Sequence, residues 1–203
     1  MMRINNTLLF VLFENKGKSL LELMISLAIV SIVLFVATIS NSFISEDKIR
    51  SFSRELYGDM INLRYSSMTR NHDVNFPYMR GYGIRFQDSN TYYLFRVNDK
   101  NQDLFYSGVD EEAPLNGETE LKKKQISDTL RIQIKEKDSL INPHDNVLIF
   151  DNRGIPRQPS GAFQMMTLVV ESLIDNEAQK KCISIAFTRI REGLWNGKDC
   201  LEQ

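Results

Sequence analysis

An apolar run at residues 20–36 constrains this chain more than any other feature, because it contains a single carboxylate, Glu22, close to its start. About 20 apolar residues span the hydrocarbon core of a bilayer. An unpaired acid inside that core costs several kcal/mol and usually serves a function. A cleaved secretory signal or a simple anchor has no use for Glu22. The run therefore favours a membrane-inserted helix that pairs with another chain.

The residues around the start of this run have a fixed order: Lys16-Gly17-Lys18-Ser19, then Leu-Leu-Glu-Leu-Met. This order resembles the class III signal of type IV prepilins and pseudopilins. The resemblance implies that a prepilin peptidase cuts after Gly17 and that the new N-terminal residue, Lys18, is N-methylated. It also implies that Glu22 recruits and registers the incoming subunit. The family usually has Phe at the first mature position, where this chain has Lys18.

The role implied for Glu22 has a physical basis. Cleavage after Gly17 would leave an α-amino group at the cytoplasmic edge of an apolar helix, and this cation would pair with Glu22 of an adjacent subunit. In a low dielectric such a pair is favoured over either charge alone. The pair would fix the axial offset between neighbouring helices. The alternative is a simple signal anchor in which Glu22 lies near the lipid headgroups.

Length and charge limit the classes of protein to which this chain can belong. The 203 residues suffice for one domain plus an extended helix, and the formal net charge of −1 gives no sign of bulk nucleic-acid binding. The cations before the apolar run, Arg3, Lys16 and Lys18, outnumber the single acid Glu14, whereas Glu46 and Asp47 follow the run. Cationic flanks face the cytoplasm. We therefore expect a single-pass inner-membrane protein whose C-terminal domain lies outside the cytoplasm, and which then enters a pilus or pseudopilus filament.

Two cysteines, Cys182 and Cys200, lie near the C-terminus. Outside the cytoplasm they are expected to form a disulfide. A loop of this length stabilises a fold by on the order of 3 kcal/mol in the chain-entropy treatment. The alternative is two free thiols. A metal site is not expected, because neither cysteine has a second Cys or a His at ligand spacing.

The apolar helix is predicted to continue beyond the membrane. From Ile49 onward apolar residues recur at intervals of three or four, which predicts an amphipathic helix. No Pro or Gly interrupts residues 19–57, so we expect one helix over residues 19–70. The predicted organisation is a cleaved leader at 1–17, a transmembrane assembly helix at 18–45, its amphipathic continuation at 46–72 and a globular antiparallel β domain at 73–203.

Alternating apolar and polar residues after the helix predict strands. A hairpin is expected at residues 82–97 and a charged, mobile excursion at residues 110–124. Further strands are predicted at residues 129–134, 147–150, 165–170 and 182–190. A long helix followed by an antiparallel sheet gives an α+β fold class and is similar to the pilin fold. Within that family, the hairpin and a turn at residues 150–154 resemble the H-type minor pseudopilins (GspH/FimT-like).

Oxygen ligands at alternate positions open a candidate calcium loop. They are Asp99, Asn101 and Asp103, and Asp110 follows at the twelfth position counting both ends. Leu104 stands where such a loop needs Gly, although pseudopilins that resemble this chain sometimes bind calcium in loops. The alternative, which the substitution at Leu104 favours, is a solvated polar turn.

Cations gather near the last predicted turn, beside Trp195. They are Arg189, Arg191 and Lys198. Cations beside an aromatic ring can hold single-stranded nucleic acid through phosphate contacts and stacking, and some minor pilins of the resembled type are DNA receptors. Glu192, Asp199 and Glu202 dilute the patch. A solvated strand end is therefore the favoured interpretation over DNA binding.

No enzyme and no cofactor are predicted, since the sequence has no serine nucleophile elbow, no paired metal-binding histidines and no phosphate loop. The resemblance implies a structural subunit, a minor pilin or pseudopilin, of a type IV pilus-like filament or type II secretion pseudopilus. Its implied partners are other pilin or pseudopilin subunits, the prepilin peptidase/N-methyltransferase, the inner-membrane assembly platform and the membrane itself. The alternatives are a pilus-tip adhesin or DNA-binding minor pilin, and a membrane-anchored sensor or enzyme.

Overall fold

The computed structural model describes residues 19–69, 79–103, 106–115, 118–136 and 139–202. The chain divides into two compact units, residues up to Asn41 and residues from Ser42 onward. The predicted leader, Lys18 and the segment expected to end the long helix lie outside the described residues.

Helix α1, Leu20–Thr69, is the N-terminal element. The prediction of one helix over residues 19–70 is confirmed for residues 20–69. Gly58 is the only glycine in it and proline is absent, so nothing in its sequence interrupts the backbone hydrogen-bond ladder. Across the described residues, no helical stretch has both the length and the apolar character needed to cross a membrane.

The part of α1 in the second unit buries one face. Ile49, Leu56, Met60 and Leu63 are almost fully inaccessible, and Phe52 is half-buried against them. Their spacings of seven, four and three residues keep them on one side of a helix. The predicted amphipathic pattern is therefore confirmed, and this face of the helix forms part of the core of the second unit.

The first sheet is antiparallel and is built around a hairpin. Among the described residues its order is β3-β2-β1-β7-β8, and β4 also pairs with β2. In the hairpin, Phe86 of β1 lies opposite Tyr92 of β2. The strands are β1 Met79–Phe86, β2 Thr91–Asn98, β3 Glu112–Ala113, β4 Lys122–Gln125, β7 Asn146–Asp151 and β8 Pro156–Arg157.

The second sheet is also antiparallel, with the order β12-β11-β10-β9-β5-β6 among the described residues. Strand β9 is central and pairs with β10 on one side and with β5 on the other. The strands are β5 Leu130–Glu136, β6 Ser139–Ile141, β9 Met166–Ser172, β10 Lys181–Ile185, β11 Ile190–Trp195 and β12 Cys200–Glu202.

Two expectations about local structure are wrong. Residues 182–190 form not one strand but the end of β10 and the start of β11, joined by a turn in which the Ala186 N–H donates to the Arg189 carbonyl oxygen at 2.9 Å. Residues 110–124 are not a mobile excursion throughout, because a short 3-10 helix at Val109–Glu111 and strands β3 and β4 form there. Both β3 and β4 pair with β2, which a local pattern cannot reveal.

One hydrophobic core joins α1 to both sheets, and its members include Leu56, Met60, Ile84, Leu148, Leu168 and Ile183. A smaller cluster lies apart from it and contains Phe95, Val97, Val147 and Ile149, with Tyr106 and Leu121 against it. The first sheet therefore has two buried faces, which explains why successive residues of β2 and β7 are buried. A long N-terminal helix packed with a C-terminal antiparallel β domain is the pilin-like α+β arrangement that the sequence predicts, and the fold class is confirmed.

Candidate assembly helix and its supporting domain

The start of α1 places Glu22 in the first turn. Ser19 precedes the helix, and its carbonyl oxygen accepts from the N–H groups of Glu22 at 2.8 Å and Leu23 at 3.2 Å. Ser19 and Glu22 have the spacing of a capping box, in which a serine and an acid satisfy the free N–H groups of a helix start. The positive end of the helix dipole also favours a carboxylate here. Glu22 is exposed, so its charge is available to a partner.

The apolar side chains that follow Glu22 face outward on all sides of the helix. Each is more than half exposed: Leu23, Met24, Ile25, Leu27, Ile29, Val30, Ile32, Val33, Leu34 and Phe35. A helix that is apolar all round is buried when it functions. Removing one such side chain from water stabilises a fold or an assembly by about 1.5–3 kcal/mol. Lipid or the helices of other subunits would supply that burial.

The polar groups within this apolar stretch are mostly satisfied by the helix itself. The Ser26 hydroxyl donates to the Glu22 carbonyl oxygen, and the Ser31 hydroxyl donates to the Ala28 carbonyl oxygen at 2.8 Å. Glu22 is the only ionisable residue between Ser19 and Ser45. In an apolar environment its carboxylate needs a cation from elsewhere. The predicted cation, the α-amino group of Lys18, and the predicted cleavage position at Gly17 lie outside the described residues.

The disulfide lies at the opposite end of the chain. Cys182 of β10 and Cys200 of β12 are bonded, with their Cα atoms 5.7 Å apart, and the bond spans β11 between them. Gly193 of β11 lies beneath this bridge, where an added Cβ would overlap the Leu201 carbonyl oxygen and lie 3.2 Å from Cys200 Sγ. The predicted pairing is confirmed. Sequence reasoning missed the requirement for glycine at position 193, which only the strand pairing reveals.

A group of polar side chains ties α1 to the first sheet. Tyr92 Oη donates to Asp59 Oδ2 at 2.8 Å, and Lys124 Nζ donates to Glu55. Burial raises the pKa of the Asp59 carboxyl, and burial together with Asp59 raises the pKa of Tyr92. The hydrogen bond to Glu55 raises the pKa of Lys124. Lys122–Lys124 lies in the segment predicted as a charged, mobile excursion, but it forms most of β4, and Lys124 ties this strand to the helix.

The turn that resembles the H-type pseudopilins is held by Asp151. Its Oδ1 accepts from the N–H groups of Arg153 at 2.9 Å and Ile155 at 3.0 Å, and its Oδ2 accepts from Arg157 Nε at 2.9 Å. Burial alone would raise the pKa of Asp151, but these hydrogen bonds lower it overall. Gly154 has a φ of +71° and lies against Met68 of α1, so the turn requires glycine and contacts the helix.

The candidate calcium residues are engaged with one another and with a cation. Asp99 is buried and its Oδ2 lies 3.0 Å from Arg80 Nε, while Asn101 Nδ2 donates to Asp103 Oδ2 at 3.1 Å. Asp110 lies in the short 3-10 helix and is exposed. In the described part of the chain, no group of three or more His, Cys, Asp or Glu side chains is placed to hold a metal ion.

The cations considered for nucleic-acid binding are spread along β11. Arg189 precedes the strand, and Lys198 follows its other end. At about 3.3 Å per residue the strand separates them by roughly 20 Å. Arg191 is ion-paired with Glu202, and Trp195 has Lys135 Nζ at 5.6 Å from its ring centroid. The structure therefore does not bring Arg189, Arg191 and Lys198 together as one patch.

The N-terminal segment matches a known family model. The model of the prokaryotic N-terminal methylation motif matches residues 14–38, which include Gly17, Lys18 and Glu22. This motif supports a type IV pilin-like protein and implies processing by a peptidase and assembly with other pilin subunits. No curated protein and no solved structure matches the chain.

Proposed function

We propose that this chain is a structural, non-enzymatic subunit, a minor pilin or pseudopilin, of a type IV pilus-like filament or type II secretion pseudopilus. One observation carries the proposal. The methylation motif at residues 14–38 covers the start of a helix that is apolar all round and whose only acid is Glu22. Such a helix gains stability only when other helices or lipid cover it.

The proposed mechanism begins with cleavage after Gly17 by a prepilin peptidase. The product has its α-amino group on Lys18, four residues before Glu22, and this amino group is N-methylated. Within one helix, Glu22 stays in the first turn next to the positive end of the dipole. When a new subunit enters the filament base, its Lys18 amino group pairs with Glu22 of the subunit already in place. The apolar faces of the two helices then pack in one fixed register.

Before assembly, the same helix holds the subunit in the inner membrane with the β domain outside the cytoplasm. The disulfide supports this location, because disulfides persist in oxidising compartments and are rare in the cytoplasm. The cationic flank before the apolar run and the acids after it also support it. The inner-membrane assembly platform then extracts the subunit into the filament.

The H-type assignment within the family rests on two features of the β domain. The β1–β2 hairpin has a polar turn at residues 87–90, and the turn after β7 is closed by Asp151 with Gly154 against α1. Both features lie in the segments that resemble the H-type minor pseudopilins. We assign the chain to this minor class as part of the proposal.

Intact mass and N-terminal sequencing of the full-length protein from the membrane fraction test the proposal. We expect a chain that begins at Lys18, with the added mass of a methyl group on that residue. A matched Gly17→Ala variant should begin at Met1, because the peptidase requires the small residue at the cut. A wild-type chain that still begins at Met1 would overturn the proposed processing and the assembly mechanism that depends on it.

A further inference from the structure

Two exposed apolar patches lie at opposite ends of the central strand β9. The Phe163 patch, formed by Phe163, Met165 and Phe187, lies where β9 begins, and Met165 is 75% exposed. The Ile174 patch, formed by Leu173 and Ile174, follows the end of β9, and Ile174 is 71% exposed. Neither patch contributes to the core, and contiguous exposed apolar side chains mark interaction surfaces.

The Phe163 patch is built as a fixed platform. The rings of Phe163 and Phe187 have centroids 4.4 Å apart, and the Arg157 guanidinium carbon lies 4.3 Å from the Phe163 ring centroid. Arg157 is itself held by Asp151 Oδ2 and by the Gly161 carbonyl oxygen at 2.8 Å. Aromatic rings that are held in place lose little entropy when a partner covers them.

The Ile174 patch is also held in place by its own turn. Ser172 Oγ accepts from the N–H groups of Ile174 at 3.2 Å and Asp175 at 3.1 Å, and the Leu173 N–H donates to the Thr129 carbonyl oxygen at 2.8 Å. Because these bonds fix the backbone, the two apolar side chains are presented to solvent at the tip of a turn.

The charges around the two patches have opposite sign. Arg189 is exposed next to Phe187. Arg153 is also exposed but is ion-paired with Asp151 at 3.5 Å, and the exposed Glu136 at the end of β5 lies at this edge of the sheet. At the other edge, Asp128 and Glu177 are exposed on either side of the Ile174 patch, while the nearby Lys180 is ion-paired with Glu171. Complementary charges of this kind fix which surfaces meet.

We propose that the Ile174 patch of one copy of this chain docks on the Phe163 patch of a second copy, with Glu177 or Asp128 of the first beside Arg189 of the second. The contact is head-to-tail, because it joins two different surfaces of identical chains. A head-to-tail contact can be repeated along a chain of subunits, and it extends a filament when its rotation does not close into a ring. The seven residues of β9 separate the patches by about 23 Å. The inference rests on the proposed function and names a contact between β domains within the same filament.

Cysteine cross-linking of full-length chains tests this contact. One copy carries Met165→Cys and a differently tagged copy carries Ile174→Cys; both positions are exposed, and the native cysteines remain bonded to each other. We expect oxidation in intact cells to give a mixed dimer at least ten times more abundant than either self-dimer. A chain with both substitutions should give a ladder of multimers. Lys123→Cys, exposed on strand β4 of the first sheet, replaces Met165→Cys in the matched control and should give no mixed dimer.

A charge exchange sharpens the test. Arg189→Glu in the Met165→Cys copy should reduce the mixed dimer several-fold, and Glu177→Arg in the Ile174→Cys copy should restore it. The contact is overturned if Met165→Cys links mainly to itself, if the Lys123→Cys control links equally well, or if no mixed dimer forms. The contact is also overturned if a single-stranded oligonucleotide protects the thiol of Met165→Cys from alkylation and a second copy of the chain does not.

The two proposals can fail separately. If the chain begins at Lys18 and enters filaments but gives no mixed dimer, the β-domain contact fails and the assembly mechanism stands. If the chain begins at Met1 and the mixed dimer still forms, the contact stands and the proposed processing fails.

Discussion

Glu22 is the residue on which the assembly mechanism depends most directly. Its carboxylate is the only charge in the apolar part of α1, and it lies exposed in the first turn. In Glu22→Gln the shape remains and the charge is lost, so the cation of an incoming subunit would be left unpaired in a low dielectric. We expect normal membrane insertion and normal cleavage after Gly17, with filament incorporation reduced at least tenfold in quantitative immunoblots of sheared filaments. Asp47→Asn, at an exposed acid after the apolar run, should incorporate normally. Equal incorporation of both variants would contradict the role of Glu22.

Two glycines differ in what surrounds them. A side chain at Gly193 would overlap the Leu201 carbonyl oxygen, whereas a Cβ at Gly58 of α1 has nothing within 4 Å. Gly193→Ala should therefore lower the free energy of unfolding by about 1–3 kcal/mol through overpacking. Gly58→Ala should raise it by about 0.5–1 kcal/mol, because alanine has less freedom in the unfolded chain. Urea titration of the full-length protein in detergent, followed by the fluorescence of the only tryptophan, Trp195, measures both changes. Stabilisation by Gly193→Ala would contradict the observed β11–β12 packing.

At the scale of single elements, the sequence predicts well where local rules suffice. Helix α1 follows from the absence of Pro and Gly before Gly58, and the β1–β2 hairpin follows from alternation around a polar turn. Strand β4 is missed because three consecutive lysines look like a solvated loop, and the pairing with β2 that makes them a strand is non-local. The charge of Glu22 identifies the candidate site, but the Tyr92–Asp59 hydrogen bond and the need for Gly193 depend on residues distant in sequence.

The turn after β7 gives the second unit a defined response to acid. Hydrogen bonds from Ile155, Arg153 and Arg157 hold the pKa of Asp151 below its ordinary value. A lowered folded-state pKa contributes stability above the unfolded-state value of about 3.9, and that contribution is lost as the pH falls through the folded-state pKa. In Asp151→Asn this contribution is absent at every pH. The variant's free energy of unfolding should therefore fall furthest below that of the wild type near pH 6, and the difference should shrink below about pH 4.

Urea unfolding at pH 6 and pH 3 measures this change, again through Trp195. Asp128→Asn, at an exposed acid without comparable hydrogen bonds from backbone N–H groups, is the matched control and should show nearly the same deficit at both values. A deficit of Asp151→Asn that stays constant or grows between pH 6 and pH 3 would contradict the assigned hydrogen bonding.

At the scale of the whole molecule, the proposed helix pairing through Glu22 and the stability of the β domain belong to different units. The apolar helix with Glu22 lies in the unit up to Asn41, and the disulfide lies in the unit that begins at Ser42. Replacement of both cysteines in Cys182→Ala/Cys200→Ala removes the restraint that holds the terminal strand β12 across β11. The free energy of unfolding of the β domain should fall by about 3 kcal/mol. Reductant should lower the stability of the wild type by a similar amount and leave the double variant unchanged.

Cleavage after Gly17 should survive this loss, because the proposed cleavage position lies in the other unit. We therefore expect membrane fractions of the double variant to contain chains that begin at Lys18, while limited proteolysis degrades their β domains faster than those of the wild type. In the membrane, the cleaved helix of the double variant still has Glu22 available to an incoming subunit. Filament incorporation should therefore fall only in proportion to the amount of intact protein. The opposite result would be a double variant with an uncut leader and a β domain that resists protease as well as that of the wild type. It would show that the disulfide serves processing and not the stability of the domain.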